Sequence, residues 1–293
     1  MTALFAKRPP RPLDIALDHV GFIVPDLQAA CEFLAQLGFT LTARADHTRT
    51  DEHGALVSAG SSQRSIMLGN GYVEIMQITD PAAGHQLALA PTARYGLHVV
   101  AFGTADASDC HAGCVRNGVQ AGPVLHWARQ INEDGICGTA LFAYFGSTWQ
   151  PADPSYLCWV EHRTPGLLRS TSLLRHDNHA LGLVALCYRG PQAQARQWSR
   201  QLLAAGTRLA REREGGIDLS LPNAMVQIDF DEQQTRVLPS ALVFELSDGA
   251  WLRERCAELG LGVRAFADGA FDVDLVAQLG VHCIFRARNG EMI

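Results

Sequence analysis

Two histidines stand at matching places along this chain. Leu17-Asp18-His19-Val20-Gly21-Phe22-Ile23-Val24 and Gly96-Leu97-His98-Val99-Val100-Ala101-Phe102 each set one imidazole at the mouth of an apolar run, about 80 residues apart. A helix-like stretch follows each and stops at Gly38 or Gly118, 19 or 20 residues after its histidine. Imidazole is the commonest metal ligand among side chains. A lone histidine opening a strand more often bonds neighbouring backbone than an ion. Two in successive copies of a repeat point instead to a shared metal site where the copies face each other.

The elements that would position them can be followed along the chain. Asp26 caps a helix in which Leu27, Ala30, Cys31, Leu34 and Leu37 recur at helical spacing. Strands are predicted at Phe39–Ala43, Ser65–Leu68 and Tyr72–Ile78. The second copy repeats the order, with a helix at Ala105–Asn117 and strands near Val124–Gln130, Thr139–Phe145 and Tyr156–Glu161. Two further copies follow, opening with strands Ala180–Tyr188 and Ala241–Leu246 and carrying helices at Gln192–Ala205 and Ala250–Leu259. The expected fold is therefore α+β, four βαβββ modules paired into two cup-shaped halves. A unit whose helix covers one face of its sheet leaves the concave face open until a second unit closes it. First and last strands of each unit then line the cup. The polar stretch 163–178 divides the chain into an N-terminal arm at 1–14, one half at 15–165 and another at 166–293.

Bulk properties narrow the function. The chain has 293 residues, 47% of them hydrophobic and 18% charged, which supports a sizeable core and argues against disorder. A net charge of -6 without a basic stripe argues against nucleic acid, and no apolar run is long enough for a membrane. The 8 cysteines lack the spacing of a disulfide framework, so a reducing cytoplasm is the expected compartment. Cys110 and Cys114 share a helix face, but two thiolates do not complete a tetrahedral metal site, and buried free cysteine is the simpler reading.

The runs His19-Val20-Gly21-Phe22-Ile23-Val24-Pro25-Asp26 and Gly71-Tyr72-Val73-Glu74-Ile75 resemble the vicinal oxygen chelate superfamily, and within it the glyoxalase-like proteins. That group includes glyoxalase I, bleomycin-resistance proteins, extradiol dioxygenases and methylmalonyl-CoA epimerase. The resemblance implies paired βαβββ modules and, in metal-binding members, a divalent ion held by first- and last-strand residues of two modules. Carried onto this chain, it implies His19, Glu74 and His98 as metal ligands, with Glu161 as the fourth. The third and fourth copies offer Val184 or Ala185, Ala241, Gln227, Asp229 and His282, with no convergent set, so the second cup is expected to hold no metal.

Such a site suits Zn, Fe, Mn, Ni or Co and leaves positions open for a small oxygen-chelating substrate. The ion would polarise a carbonyl or stabilise an enolate, and Glu74 or Glu161 would move the proton as the catalytic carboxylate. The resemblance also places the stretch 46–54 at the cup rim, which makes His47, Arg49 and His53 substrate-pocket candidates; a solvated polar loop is the simpler reading of it. Phe142, Tyr144, Phe145, Trp149 and Trp159 are candidates for an apolar pocket wall, with core packing as their alternative. The function implied is lyase, isomerase or epimerase chemistry. An extradiol-type dioxygenase and a metal-free binding or resistance-type protein are the alternatives. The degenerate second half would support the first or form a homodimer contact.

Overall fold

The computed structural model describes residues 13–50, 53, 55–83, 95–133, 135–148, 150, 153–168 and 170–288. Of the expected N-terminal arm only Leu13 and Asp14 fall among them. The first half runs β1 (Ile15–Ile23), α1 (Leu27–Gln36), β2 (Ala45–Thr50), β3 (Leu56–Leu68), β4 (Gly71–Ile78), β5 (Gly96–Thr104), α2 (Ala107–Arg116), β6 (Leu125–Glu133), β7 (Ile136–Gly146) and β8 (Tyr156–His162). The second half repeats it as β9 (Ala180–Gly190), α3 (Gln192–Ala205), β10 (Arg208–Arg213), β11 (Gly216–Ser220), β12 (Met225–Phe230), β13 (Leu238–Leu246), α4 (Ala250–Glu258), β14 (Val263–Ala265), β15 (Phe271–Leu275), α5 (Val276–Leu279) and β16 (Val281–Ala287). Each half is one eight-stranded sheet, ordered β2-β3-β4-β1-β5-β8-β7-β6 in the first and β10-β11-β12-β9-β13-β16-β15-β14 in the second. The first strand of every module pairs in parallel with its last, and the two first strands of a half pair antiparallel. Four βαβββ modules thus form two cups.

Local chemistry explains the helices. The Asp26 side chain accepts from the Ala29 amide at 3.0 Å and Asp106 from the Asp109 amide at 2.9 Å, so α1 and α2 each start on a cap. Leu27, Cys31 and Leu34 form the buried stripe of α1. Its end turns at Gly38, where φ is +80° and an added Cβ would stand 2.8 Å from the Asn178 amide nitrogen. Only glycine takes that turn without strain at so close an approach.

The convex faces of both sheets share a single core. Phe22, Phe102 and Trp159 meet Leu186, Tyr188 and Phe244 there, with Leu34, Trp198, Leu202 and Leu252 contributed by the helices between them. The two cups therefore stand back to back. An asparagine clasp ties them: Asn70 bonds both the amide and the carbonyl of Leu183 at 2.9 Å. Asn223 does the same to Leu17 at 2.9 and 2.8 Å. Each side chain supplies what a neighbouring strand would have supplied.

Two predicted elements of the first module come out differently. Phe39–Ala43 is not a strand, because Phe39 is drawn into the seam between halves against Phe244 and Phe285, and the Thr40 amide donates to His176 Nδ1 at 3.0 Å. The stretch expected as a rim loop at 46–54 is instead partly the strand β2, paired antiparallel with β3. That pairing brings Asp46, His47 and Thr48 into the cup.

Candidate functional site

The strand registers define which side chains share the floor of the first cup. Val20 lies opposite Val100 on the antiparallel β1–β5 pair, and a local twofold through that pair relates the two modules. In the first module His19 sits beside Tyr72 and Gly21 beside Glu74. In the second, Val99 sits beside Tyr156 and Ala101 beside Cys158. Symmetry therefore equates His19 with Val99, Tyr72 with Tyr156, and Glu74 with Cys158. The second module carries neither polar group and has the tyrosine.

A bulge builds the polar centre. Leu17 faces Phe102 and His19 faces Ala101, so the ladder passes over Asp18. Asp18 Oδ2 lies 2.7 Å from His19 Nδ1, and its Oδ1 lies 2.9 Å from Nε2 of His162 on β8. Burial opposes the charge on Asp18, but these two histidines outweigh it and hold the carboxyl well below the usual range. An ionised carboxylate only accepts, so His19 carries its proton on Nδ1 when neutral and keeps a lone pair on Nε2. The His19 ring stacks on Tyr72 at 4.3 Å. Burial, then the charges of Asp18 and Glu74, push the Tyr72 phenol up, so it stays protonated.

The second imidazole–carboxylate pair stands next to the first. His47 Nε2 lies 3.5 Å from Glu74 Oε1, while His47 Nδ1 meets Ser61 Oγ at 2.7 Å. Burial again works against the charge. Hydrogen bonding and charge from His47, helped by His19 and Arg129, bring Glu74 down to about 2. Opposite these groups the wall is aromatic: Trp127, Phe142, Tyr144 and Tyr156 line a cavity of about 200 Å³ with His19, Tyr72 and Glu74. Gly146 makes room for one of them, since the Tyr156 ring occupies the space a Cβ would need.

The residues expected from sequence divide sharply. His19, Glu74 and His47 meet in the cavity. His98 does not line it; Gly21 faces Val99 and Phe22 faces Leu97, so His98 is itself the extra residue of a bulge and is 2% exposed. Glu161 faces the helices: its Oε2 accepts from the Ala107 amide at 3.0 Å and its Oε1 from Arg163 at 2.8 Å. Its low pKa comes first from that amide and then from Arg163. It is a helix cap, since Val160 before it faces the cavity and strand residues alternate. Trp159 and Phe145 stack at 4.8 Å in the core, where the indole donates to the Ala205 carbonyl at 3.1 Å. His53 is exposed on the β2–β3 turn, and the Arg49 side chain and Trp149 lie outside what the structure describes. Cys110 and Cys114 are buried on α2. Asp18, His162, Tyr72, Trp127 and Arg129 were not singled out by sequence, although Asp18 directly precedes His19, and Trp127 and Arg129 share a face of β6 by alternation.

The donor set does not fit the four-ligand ion that the resemblance implies. Two of the four equivalent positions hold Val99 and Cys158. Burial, then the charges of Glu74 and Asp18, push the Cys158 thiol up and keep it protonated. Among the described residues no three His, Cys, Asp or Glu side chains are arranged to hold a metal ion.

Comparison with known proteins agrees with the fold. The family model described as "Glyoxalase-like domain" matches residues 17–203, more than half of the chain, and the protein belongs to that family. Its architecture is that of the vicinal oxygen chelate superfamily. A hypothetical protein from Staphylococcus aureus superposes with a TM-score of 0.64 at 9% identity, covering 94% of this chain and 100% of that one. A mutant 4-hydroxymandelate synthase from Streptomyces coelicolor gives 0.61 at 14%, covering 98% and 95%. A fusion of a xylose isomerase-like TIM barrel with 4-hydroxyphenylpyruvate dioxygenase gives 0.55 at 14%, covering 98% of this chain and 51% of that one. At such identities the likeness is one of fold. No curated protein matches the sequence at a significant level. Among the described residues no helix is long and apolar enough to cross a membrane.

Proposed function

We propose that the first cup binds a small, mainly apolar, oxygen-bearing molecule and that His19 moves a proton on it. The observation that carries this is the Asp18–His19 contact of 2.7 Å on the floor of an aromatic-walled cavity. Asp18 fixes the tautomer, and Nε2 of His19 takes a proton from a carbon or hydroxyl beside a carbonyl. The imidazolium so formed is stabilised by the same carboxylate. The protonated Tyr72 phenol offers a donor for the oxygen on which charge develops, and the Glu74–His47 pair adds a second proton-exchanging group. The reaction class is isomerisation, epimerisation or elimination by proton transfer, carried by this chain's own residues.

The test is hydrogen–deuterium exchange at the α-carbons of phenylacetone in D2O, followed by proton NMR. Catalysed exchange is expected that His19→Ala and Asp18→Ala abolish and that EDTA leaves unchanged. Exchange surviving His19→Ala, or requiring an added divalent ion, overturns the proposal. Binding with no exchange makes the cup a sequestering pocket, the reading that its aromatic wall favours as an alternative.

A further inference from the structure

Arg129 lines the first cup, where its charge favours the ionised Glu74 from a distance without forming an ion pair with it. It stands on β6 two residues from Trp127, opposite Ala140 on β7, whose small side chain leaves the guanidinium space. Its Nε is buried and has no hydrogen-bond partner. Its guanidinium carbon lies 6.0 Å from the centroid of the Phe142 ring. The carboxylates nearby are already served. Glu74 has His47, Asp18 has His19 and His162, and Asp46 has Ser62 and Arg44. Among the described residues lining this cavity, Arg129 is the cation that forms no ion pair.

A planar guanidinium with an unsatisfied buried donor suits a planar anion that takes parallel hydrogen bonds. Charge decides which anion. A single guanidinium matches one negative charge, and the nearby Glu74 and Asp18 carboxylates would repel a dianion such as a phosphate monoester. Arg129 and His19 come from different modules, β6 at the end of the curled sheet and β1 at its centre. A ligand held at its acid end by Arg129 would lay its body along Trp127, Phe142 and Tyr144. We infer that Arg129 anchors the carboxylate of the cup's ligand, a small monocarboxylate with an apolar, ring-sized body. This inference rests on the reading of the first cup as a small-molecule site.

The experiment is isothermal titration of wild type, Arg129→Met and Arg129→Lys with phenylacetate and with its neutral isostere phenylacetamide. Wild type is expected to bind phenylacetate about tenfold to a hundredfold tighter than the amide, the usual effect of one charge-assisted contact. Arg129→Met, which keeps the stem packed on Phe142, is expected to abolish that preference, weakening phenylacetate far more than the amide. Arg129→Lys is expected to keep part of it, through charge without the fork. Equal wild-type affinity for acid and amide overturns the carboxylate assignment and leaves the pocket intact. A preference that survives Arg129→Met overturns it as well. Failure of both compounds to bind overturns the assignment together with the small-molecule reading of the cup. Melting curves of the variants separate loss of the contact from loss of the fold.

Discussion

The two cups share a backbone plan and differ in what it carries. At the positions of His19, Glu74, Val99 and Cys158, the registers of the second sheet place Ala185, Gln227, Ala241 and Ile284. Its larger cavity, about 600 Å³, is lined by charged residues including Arg189, Asp229, Arg264 and Asp272 rather than by an aromatic wall. The buried Asp218 and Asp272 occupy equivalent places on their middle strands. Asp218 holds Arg211 and Arg213 at 3.0 Å each, and Asp272 holds Arg264 at 3.0 Å and His282 at 3.1 Å. An arginine–aspartate pair satisfies itself. An imidazole–carboxylate pair leaves one ring nitrogen over. The His282–Asp272 pair does so too, but that imidazole is 40% exposed among charged groups, whereas His19 is 11% exposed beside an aromatic wall. The comparison teaches that this fold supplies equivalent positions, and that the pairing chemistry and the lining at them set the two cups apart.

The largest effect expected concerns that leftover nitrogen. His19→Ala should remove the catalysed exchange on phenylacetone, a base contribution worth about 10²- to 10⁴-fold, whereas His282→Ala in the other cup should leave it unchanged. Comparable losses from both variants, by NMR, would break the distinction between the cups.

Acid stability comes next. Glu74 titrates near 4.5 when unfolded and near 2 when folded, so its stabilising contribution is complete above about pH 4.5 and is lost as pH falls toward 2. At about 1.36 kcal/mol per unit this amounts to about 3 kcal/mol. Asp18 acts with the same sign. Urea melts at pH 6 and pH 3 should show Glu74→Gln less acid-sensitive than wild type; an unchanged difference would remove Glu74 from the ion-paired centre.

The clasp between the cups ranks third. Asn70→Ala leaves the Leu183 amide and carbonyl without these partners and should cost about 2 kcal/mol, as should Asn223→Ala at Leu17. Denaturant midpoints would show it, and a cost below about 0.5 kcal/mol for both would mean that water replaces the clasp. Smallest is Asp272→Asn, about 1 kcal/mol or less, because Arg264 is 71% exposed and its pair is screened. A cost of several kcal/mol would mean that the second cup is as tightly built as the first.

Much of the architecture was legible before any coordinates. Helix α3 falls at the predicted Gln192–Ala205, because its apolar stripe and the terminating Gly206 are local signals, and β12 falls at the predicted Met225–Phe230. His19 and Glu74 stood out as polar residues in otherwise apolar strands, and both line the first cavity. His98 misled because it copies the local surroundings of His19, a histidine followed by valines in an apolar run. Its displacement by one residue depends on the ladder with β1, whose residues lie nearly 80 positions away. Glu161 misled for a related reason: its parity with Trp159 was readable, but not which face of the sheet the helix covers.

The amino-acid order alone determined the repeat, the elements of each copy and the polar residues available to the first cup, since these depend on neighbours within a few turns of chain. Only the tertiary structure decided that Asp18 turns inward at a bulge, that Val99 takes the place equivalent to His19, and that β6 brings Trp127 and Arg129 across from the imidazoles. Such choices belong to strand register, which long-range pairing sets and which moves a side chain from one face to the other with a single residue of slip.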